Sequence, residues 1–234
     1  NRLILATAAN RTPDIAMGLP SYIPFDLAVR GAVMDLSQNE DFWEFASSFS
    51  PGAFIPYVLN EKVYGLPETL DFHTLVYRKD IFRQLELTPP DTWQEVIEIL
   101  PVLQRYGMNF YHPIAGGLPT LKWFYQTSPF VYQFGGTLYD EDGLGVSLDN
   151  PKTVEGLRFL SELFNVYALQ EQVPIFYNSF RFGIIPAGIV DSQSYLQMKY
   201  AAPELKGLWE LGPYPGIPNE NGDPQRWFIA NGVA

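Results

Sequence analysis

Short apolar runs, each closed by a turn, alternate along this chain with longer stretches whose apolar side chains recur every three or four residues. The clearest helical stretch is "PPDTWQEVIEILPVLQRYG" at 89–107. Thr92 and Glu95 have capping-box spacing, Trp93, Val96, Ile97, Leu100 and Leu103 form one stripe, and Gly107 supplies a left-handed stop. Pro101 lies inside it and deletes one backbone hydrogen bond. A second helix is expected in "DNPKTVEGLRFLSELFNVY" at 149–167, with Asn150 as cap, Pro151 as first helical residue and a stripe of Val154, Leu157, Leu160, Ser161, Phe164 and Tyr167. Between and around these lie runs that read as strands: "DIAMG" at 14–18, the two apolar ends of "VYGLPETLDFHTLVYR", "MNFYHP", "IIPAGIVD" and the closing "WFIANGVA". Shorter helices are expected in "RLILATAAN", in "FDLAVRGAVMDL" as far as Met34, in "NEDFWEFASSF", from Lys79 to about Leu87, in "LKWFYQ" and in "SQSYLQMKYAAPEL". Strands alternating with helices imply an open α/β sheet, and such sheets place ligands beyond the carboxyl ends of their strands.

Composition removes several function classes. The net charge of -11 argues against nucleic acid or an anionic membrane as partner, because either would be repelled. Without cysteine there is no disulfide, thiolate chemistry or zinc ribbon, and the two histidines, His73 and His112, have no ligand spacing. No stretch reaches the eighteen or so apolar residues of a membrane span. No GxGxxG, phosphate-binding loop or nucleophile elbow follows any strand. What remains is a heavy aromatic load of 17 Phe, 14 Tyr and 5 Trp, more than cores alone require, which fits rings lining a concave site.

The segments that follow strands are Leu19–Tyr22, Glu68–His73 and Asp191–Tyr195, and each mixes polar with apolar or aromatic groups. Glu68 and Asp71 at the break between two strands are either solvated turn acids or acceptors at the mouth of a cleft. His73 reads as a core or interface histidine.

The ordered set "TPDIAMG", "VYGLPETLDFHTLVYRKDIF", "PPDTWQEV", "FGGTLYDEDG", "FRFGIIPAGIVDSQSYLQMKYAAPEL" and "GPYPG" resembles the family 1 extracellular solute-binding proteins of carbohydrate ABC transporters, the group that includes the maltose-binding proteins. The resemblance implies the periplasmic-binding-protein-like type II α/β fold, a two-lobed clamshell, here as a truncated central fragment. It assigns 1–69 to the first lobe, 70–218 to the second and 219–234 to a segment crossing back. It further implies a lipid-anchored protein on the outer face of the membrane or a periplasmic one. Such a protein is monomeric, needs no cofactor, takes a carbohydrate as ligand and delivers it to permease subunits. A sensing role with a signalling partner is the alternative, and a glycosidase with Asp71 and Asp191 as paired carboxylates is a third reading.

A sugar presents vicinal hydroxyls at its rim and flat C–H faces, so its site needs carboxylates or amides and aromatic planes. Covering about 100 Å² of sugar face contributes roughly 2.5 kcal/mol, while a stranded hydroxyl costs ~1–3 kcal/mol, so the polar groups set identity. On the family pattern the ligand-binding candidates are Pro20, Ser21 and Tyr22 on the first lobe, Glu68 and Asp71 at the crossing, and Trp123, Tyr125, Asp191, Ser192, Gln193 and Tyr195 on the second, with Trp227 a weaker one. Trp123 and Tyr125 are two apart on a helix and point in different directions, so one of them reaches ligand. Tyr195 is the one ring in a segment where related sequences carry Trp, which weakens a maltodextrin-like reading.

Overall fold

The computed structural model describes residues 2–9, 11–114, 121–170, 173, 175–227 and 230–233. They belong to two units, one of 1–71 with 230–234 and the other of 72–229. In the first unit, helices α1 (Arg2–Ala8), α2 (Tyr22–Val29) and α3 (Phe42–Ala46) precede a hairpin of β1 (Val58–Leu59) and β2 (Lys62–Val63), and β3 (Thr69–Phe72) closes it. Helix α2 stops short of Met34 because Gly31, at φ +66°, turns the chain out of the helix. The buried strand expected at 14–18 is not formed. Ile15 and Met17 are 79% and 73% exposed, and among the described residues no strand pairs with them. An apolar run becomes a strand only when a neighbour takes its backbone N–H and C=O groups. The break between two strands expected at 68–73 is also revised, since 69–72 is itself strand and pairs with the last strand of the chain.

The second unit runs β4 (Thr74–Arg78), α4 (Lys79–Gln84), α5 (Trp93–Arg105), β5 (Phe110–Tyr111), α6 (Leu121–Gln133), α7 (Pro151–Asn165), α8 (Phe176–Arg181), β6 (Ala187–Val190), α9 (Ser192–Ala201), β7 (Trp209–Gly212) and the small pair β8 (Ile217–Pro218) and β9 (Pro224–Gln225). The chain then returns through β10 (Ala230–Val233) to pair with β3. Helix α4 ends at Gln84, three residues before Leu87.

The sheet of this unit has the order β5-β6-β4-β7. β4 is antiparallel to both neighbours, with Leu75 opposite Ile189 and Gly212, while β5 lies parallel to β6. Because strand side chains alternate, β4 feeds two cores. Leu75 packs with Trp93, Leu100, Leu103, Phe110, Phe130 and Leu163, from α5, β5, α6 and α7. Val76 points the other way, to Phe180, Met198 and Leu205 around α8 and α9. The sheet is thus sandwiched between two helical layers, and each fully buried side chain of this size contributes roughly 1.5–3 kcal/mol.

Local chemistry holds the layers in register. The capping box of α5 is complete: Thr92 Oγ1 accepts from Glu95 N–H at 3.1 Å, and Glu95 Oε2 accepts from Thr92 N–H at 2.9 Å. Arg78 is buried, bonds Asp80 through Nε (2.8 Å) and Nη2 (2.6 Å), and donates from Nη1 to the carbonyls of Phe180 and Arg181 at the end of α8. The guanidinium holds the Asp80 carboxyl below the usual carboxylate range. Residues 77–80, "YRKD", thus tie strand β4 to the last carbonyls of α8.

Helix α7 buries a face rotated from the one its apolar spacing predicts, although Leu160 is buried and Phe164 and Tyr167 pack on the core as expected. Thr153, Gly156, Leu160 and Leu163 are buried and Val154 is 40% exposed. A Cβ on Gly156 would lie 2.5 Å from the Phe130 carbonyl oxygen, so α6 packs against the glycine face and that contact sets the rotation. Among the described residues no helix is long and apolar enough to cross a membrane.

Candidate functional site

The first unit brings part of its expected set together. Glu68, exposed and just ahead of β3, accepts from the Gly18 backbone N–H at 3.1 Å, so it holds the loop that follows 14–18. Pro20, Ser21 and Tyr22 come next in that loop. Pro20 accepts from the Ile23 N–H, Ser21 occupies the cap position of α2, and the Tyr22 ring is half exposed. Asp71 is a half-buried strand residue of β3. An acid here is held by ladder geometry, more firmly than a turn would hold it.

In the second unit the strand-end rule leads to a more complete group. β5 and β6 are parallel, so their carboxyl ends lie together, and Asp191 follows directly on Val190. Asp191 caps α9, its Oδ1 accepting from the Ser194 N–H at 2.9 Å and the Ser194 hydroxyl at 2.8 Å. Ser192 opens the helix. At the end of β5, Tyr111 stacks on Phe176, the first residue of α8, with ring centroids 5.0 Å apart and planes 23° from parallel. Burial, and then the charge of Asp191, push the Tyr111 phenol up from its ordinary pKa, so the phenol stays a neutral donor further into the alkaline range than a free tyrosine. Gly188 is required here, since a Cβ would meet Tyr111 at 2.8 Å and Phe176 at 3.2 Å.

This pair of rings beside a carboxylate was not among the expected residues. Tyr111 satisfies the strand-end rule that selected Asp191, but "MNFYHP" is too short to show in sequence where its strand stops. Phe176 lies 65 residues beyond Tyr111 in the sequence, and no local pattern joins the two.

Tyr195 is placed otherwise. Its ring meets Trp209 edge-on at 5.7 Å, and the Lys199 ammonium lies over it at 5.6 Å from the centroid. It lines a groove of about 530 Å³ between α9 and β7, with Met198, Tyr200 and Glu210. The side chains of Trp123, Tyr125 and Gln193 lie outside the described residues, although the first two belong to the backbone of α6 and the third to α9. Trp227 stacks on Tyr132.

His73 is half-buried and its Nε2 lies 2.8 Å from the side-chain nitrogen of Gln126. His112 is fully buried, set edge-on to Trp93 and Phe130, with Nε2 donating to the Gln126 backbone oxygen at 3.2 Å. Burial drives its pKa down to about 3, so the ring is neutral. Among the described residues no group of three His, Asp or Glu side chains could hold a metal ion.

A family model for bacterial extracellular solute-binding proteins matches residues 1–234. Among curated proteins, a maltotriose-binding protein of Pyrococcus abyssi is 25% identical over 169 residues, covering 69% of this chain and 33% of that protein. Among solved structures, maltose-bound MalE3 of T. maritima superposes with a TM-score of 0.79 at 23% identity, over 98% of this chain and 58% of that one. A solute-binding protein of an ABC transporter from Thermotoga lettingae, bound with α-D-tagatose, gives 0.75 at 22%, over 100% and 60%. The chain therefore spans about a third of that curated relative's length and three fifths of these structures', and it has the periplasmic-binding-protein-like type II α/β fold over that span.

Proposed function

The chain belongs to the bacterial extracellular solute-binding protein family, and from that premise we propose that it is the sugar-capturing part of an ABC importer's binding protein. On this reading residues 1–71 and 230–234 are first-lobe material and 72–229 the second lobe. A mono- or oligosaccharide is held between the lobes, and it stabilises the closed arrangement because it contacts both. The closed complex is the form a permease recognises, outside the cell membrane. No covalent chemistry is involved, and the sugar is returned unchanged.

The observation that carries the proposal is the Tyr111–Phe176 stack beside Asp191 at the carboxyl ends of β5 and β6. It supplies a carboxylate acceptor, a neutral phenol and flat apolar surface, the three elements a pyranose demands. Asp71, Glu68, Ser21, Ser192 and Gln193 add polar groups, and Pro20, Tyr22, Trp123, Tyr125 and Tyr195 add apolar and aromatic surface. The curated relative from P. abyssi is a maltotriose-binding protein, and the two structural relatives are bound with maltose and tagatose, which makes these three the ligands to try first.

The test is calorimetric titration with maltotriose, maltose and tagatose on this chain and on Asp71→Ala and Asp191→Asn variants. Asparagine keeps the helix cap while removing the charge. Each variant is expected to bind its sugar about tenfold more weakly, a loss of about 1.4 kcal/mol, with an unchanged melting curve. Unchanged affinity in both variants removes these carboxylates from the site, and release of monosaccharide from maltotriose would replace capture with hydrolysis.

A further inference from the structure

The chain passes between its two units twice, after residue 71 and before residue 230. Just beyond the first crossing, His73 Nε2 is met by the side-chain nitrogen of Gln126 at 2.8 Å. Just before the second, the Trp227 ring stacks on Tyr132 with centroids 4.0 Å apart and planes 25° from parallel, and the Trp227 carbonyl accepts from Gln133 Nε2 at 3.1 Å. The same amide reaches the Pro215 carbonyl at 3.2 Å. Gln126, Tyr132 and Gln133 all belong to α6.

The two glutamines are two helical turns apart and lie within about 20° of one another around the axis. They are 7% and 6% exposed, and neither amide oxygen has a hydrogen-bond partner among the described residues. A methionine would fill the same volume without stranding an oxygen, so what glutamine adds is the N–H group aimed at the crossing segment.

We propose that one face of α6 is the seat to which both crossings are fixed, with Gln126 and Gln133 as the positioning residues. On the closing motion proposed above, a rigid helix holding both points sets the axis about which the units move. It also carries Trp123 and Tyr125 in its first turns, so on the sugar-binding reading above, the ring that meets ligand and the hinge move as one body.

Gln126→Met and Gln133→Met, singly and together, test this in the whole chain. Gln104→Met is the control, removing an α5 amide that bonds the Tyr167 carbonyl far from either crossing in sequence. The absence of native cysteine allows Glu44→Cys and Arg158→Cys, exposed on α3 and α7, to carry one spin label per unit. Pulsed dipolar spectroscopy without sugar then reads the spread of inter-unit distances. The double variant is expected to widen the distribution about twofold over parent and control, and each single variant to widen it by less. Where the parent binds maltose, the double variant is expected to bind at least tenfold more weakly. An unchanged width in the folded variants, or equal widening by the control, overturns the proposal whatever the sugar does. If the double variant does not fold, the single variants are read by the same criterion. A parent that binds none of the sugars overturns the sugar reading and leaves the comparison of widths in force.

Discussion

The two units differ in how they dispose of apolar side chains. In the second, both faces of β4 are covered, and Leu75, Val76, Trp93, Phe110, Phe130, Phe180 and Ile189 are all inaccessible to water. In the first, the buried apolar side chains among the described residues are Leu27, Phe42, Ala53, Tyr57 and Val63 with Pro24 and Pro67, while Ile15, Met17, Trp43, Ile55 and Val58 are exposed. The difference is in layers. The second unit has a four-stranded sheet with helices on both sides, whereas the first has two separate two-stranded pieces. Two strands cannot bury a face without a further layer. Within this chain burial follows the sheet: the four-stranded sheet receives helices on both faces, and the two-stranded pieces do not.

The sharpest way to break this comparison is a pair of core truncations. Trp93→Ala is expected to cost the second unit about 3–5 kcal/mol in urea denaturation. Phe42→Ala, at a buried site of the first unit, is expected to leave the second unit's transition where it is. Equal displacement by both variants would mean that the units unfold together.

An effect of comparable size comes from acid, and both histidines are in the second unit. His112 has a folded pKa near 3 against an ordinary value of 6.5. Above 6.5 the ring is neutral in both states. Between 6.5 and 3 the unfolded chain takes up a proton that the folded chain refuses, so stability falls as pH falls. The loss is on the order of 4 kcal/mol by pH 3. Melting curves across that range should show a shallower acid limb for His112→Phe than for the parent, and parallel limbs would refute the assignment.

The smallest effect sharpens the account of the first unit. β1 and β2 pair Leu59 with Lys62, leaving a two-residue turn in which Asn60 and Glu61 have φ of +50° and +65°. Such turns favour Asn-Gly, so Glu61→Gly should stabilise the hairpin by about 0.5–1 kcal/mol. Slower hydrogen exchange at the Tyr64 amide, which donates to the Tyr57 carbonyl across the hairpin at 2.9 Å, is the readout, and faster exchange would contradict the turn type.

Sequence by itself determined what depends on residues three or four apart. The Thr92–Glu95 capping box, the Asn150 cap, the stripe of α5 and the strand character of 74–78 and 187–190 all follow from neighbours along the chain, so they are legible without knowing what packs on them. Asp191 was found the same way, because a strand that ends in an acid and opens a helix is a local pattern. Tertiary structure decided whatever depends on a partner remote in the chain. Residues 14–18 have strand chemistry but, among the described residues, no ladder to join. The face of α7 was set by how closely Gly156 approaches Phe130. Tyr111 and Phe176 became a stacked pair only because β5 runs parallel to β6 and Gly188 leaves room between them. Local propensity is the work of side chain and backbone within one turn, whereas rotation, pairing and burial are fixed by shape complementarity across the fold, which spacing along one element does not encode.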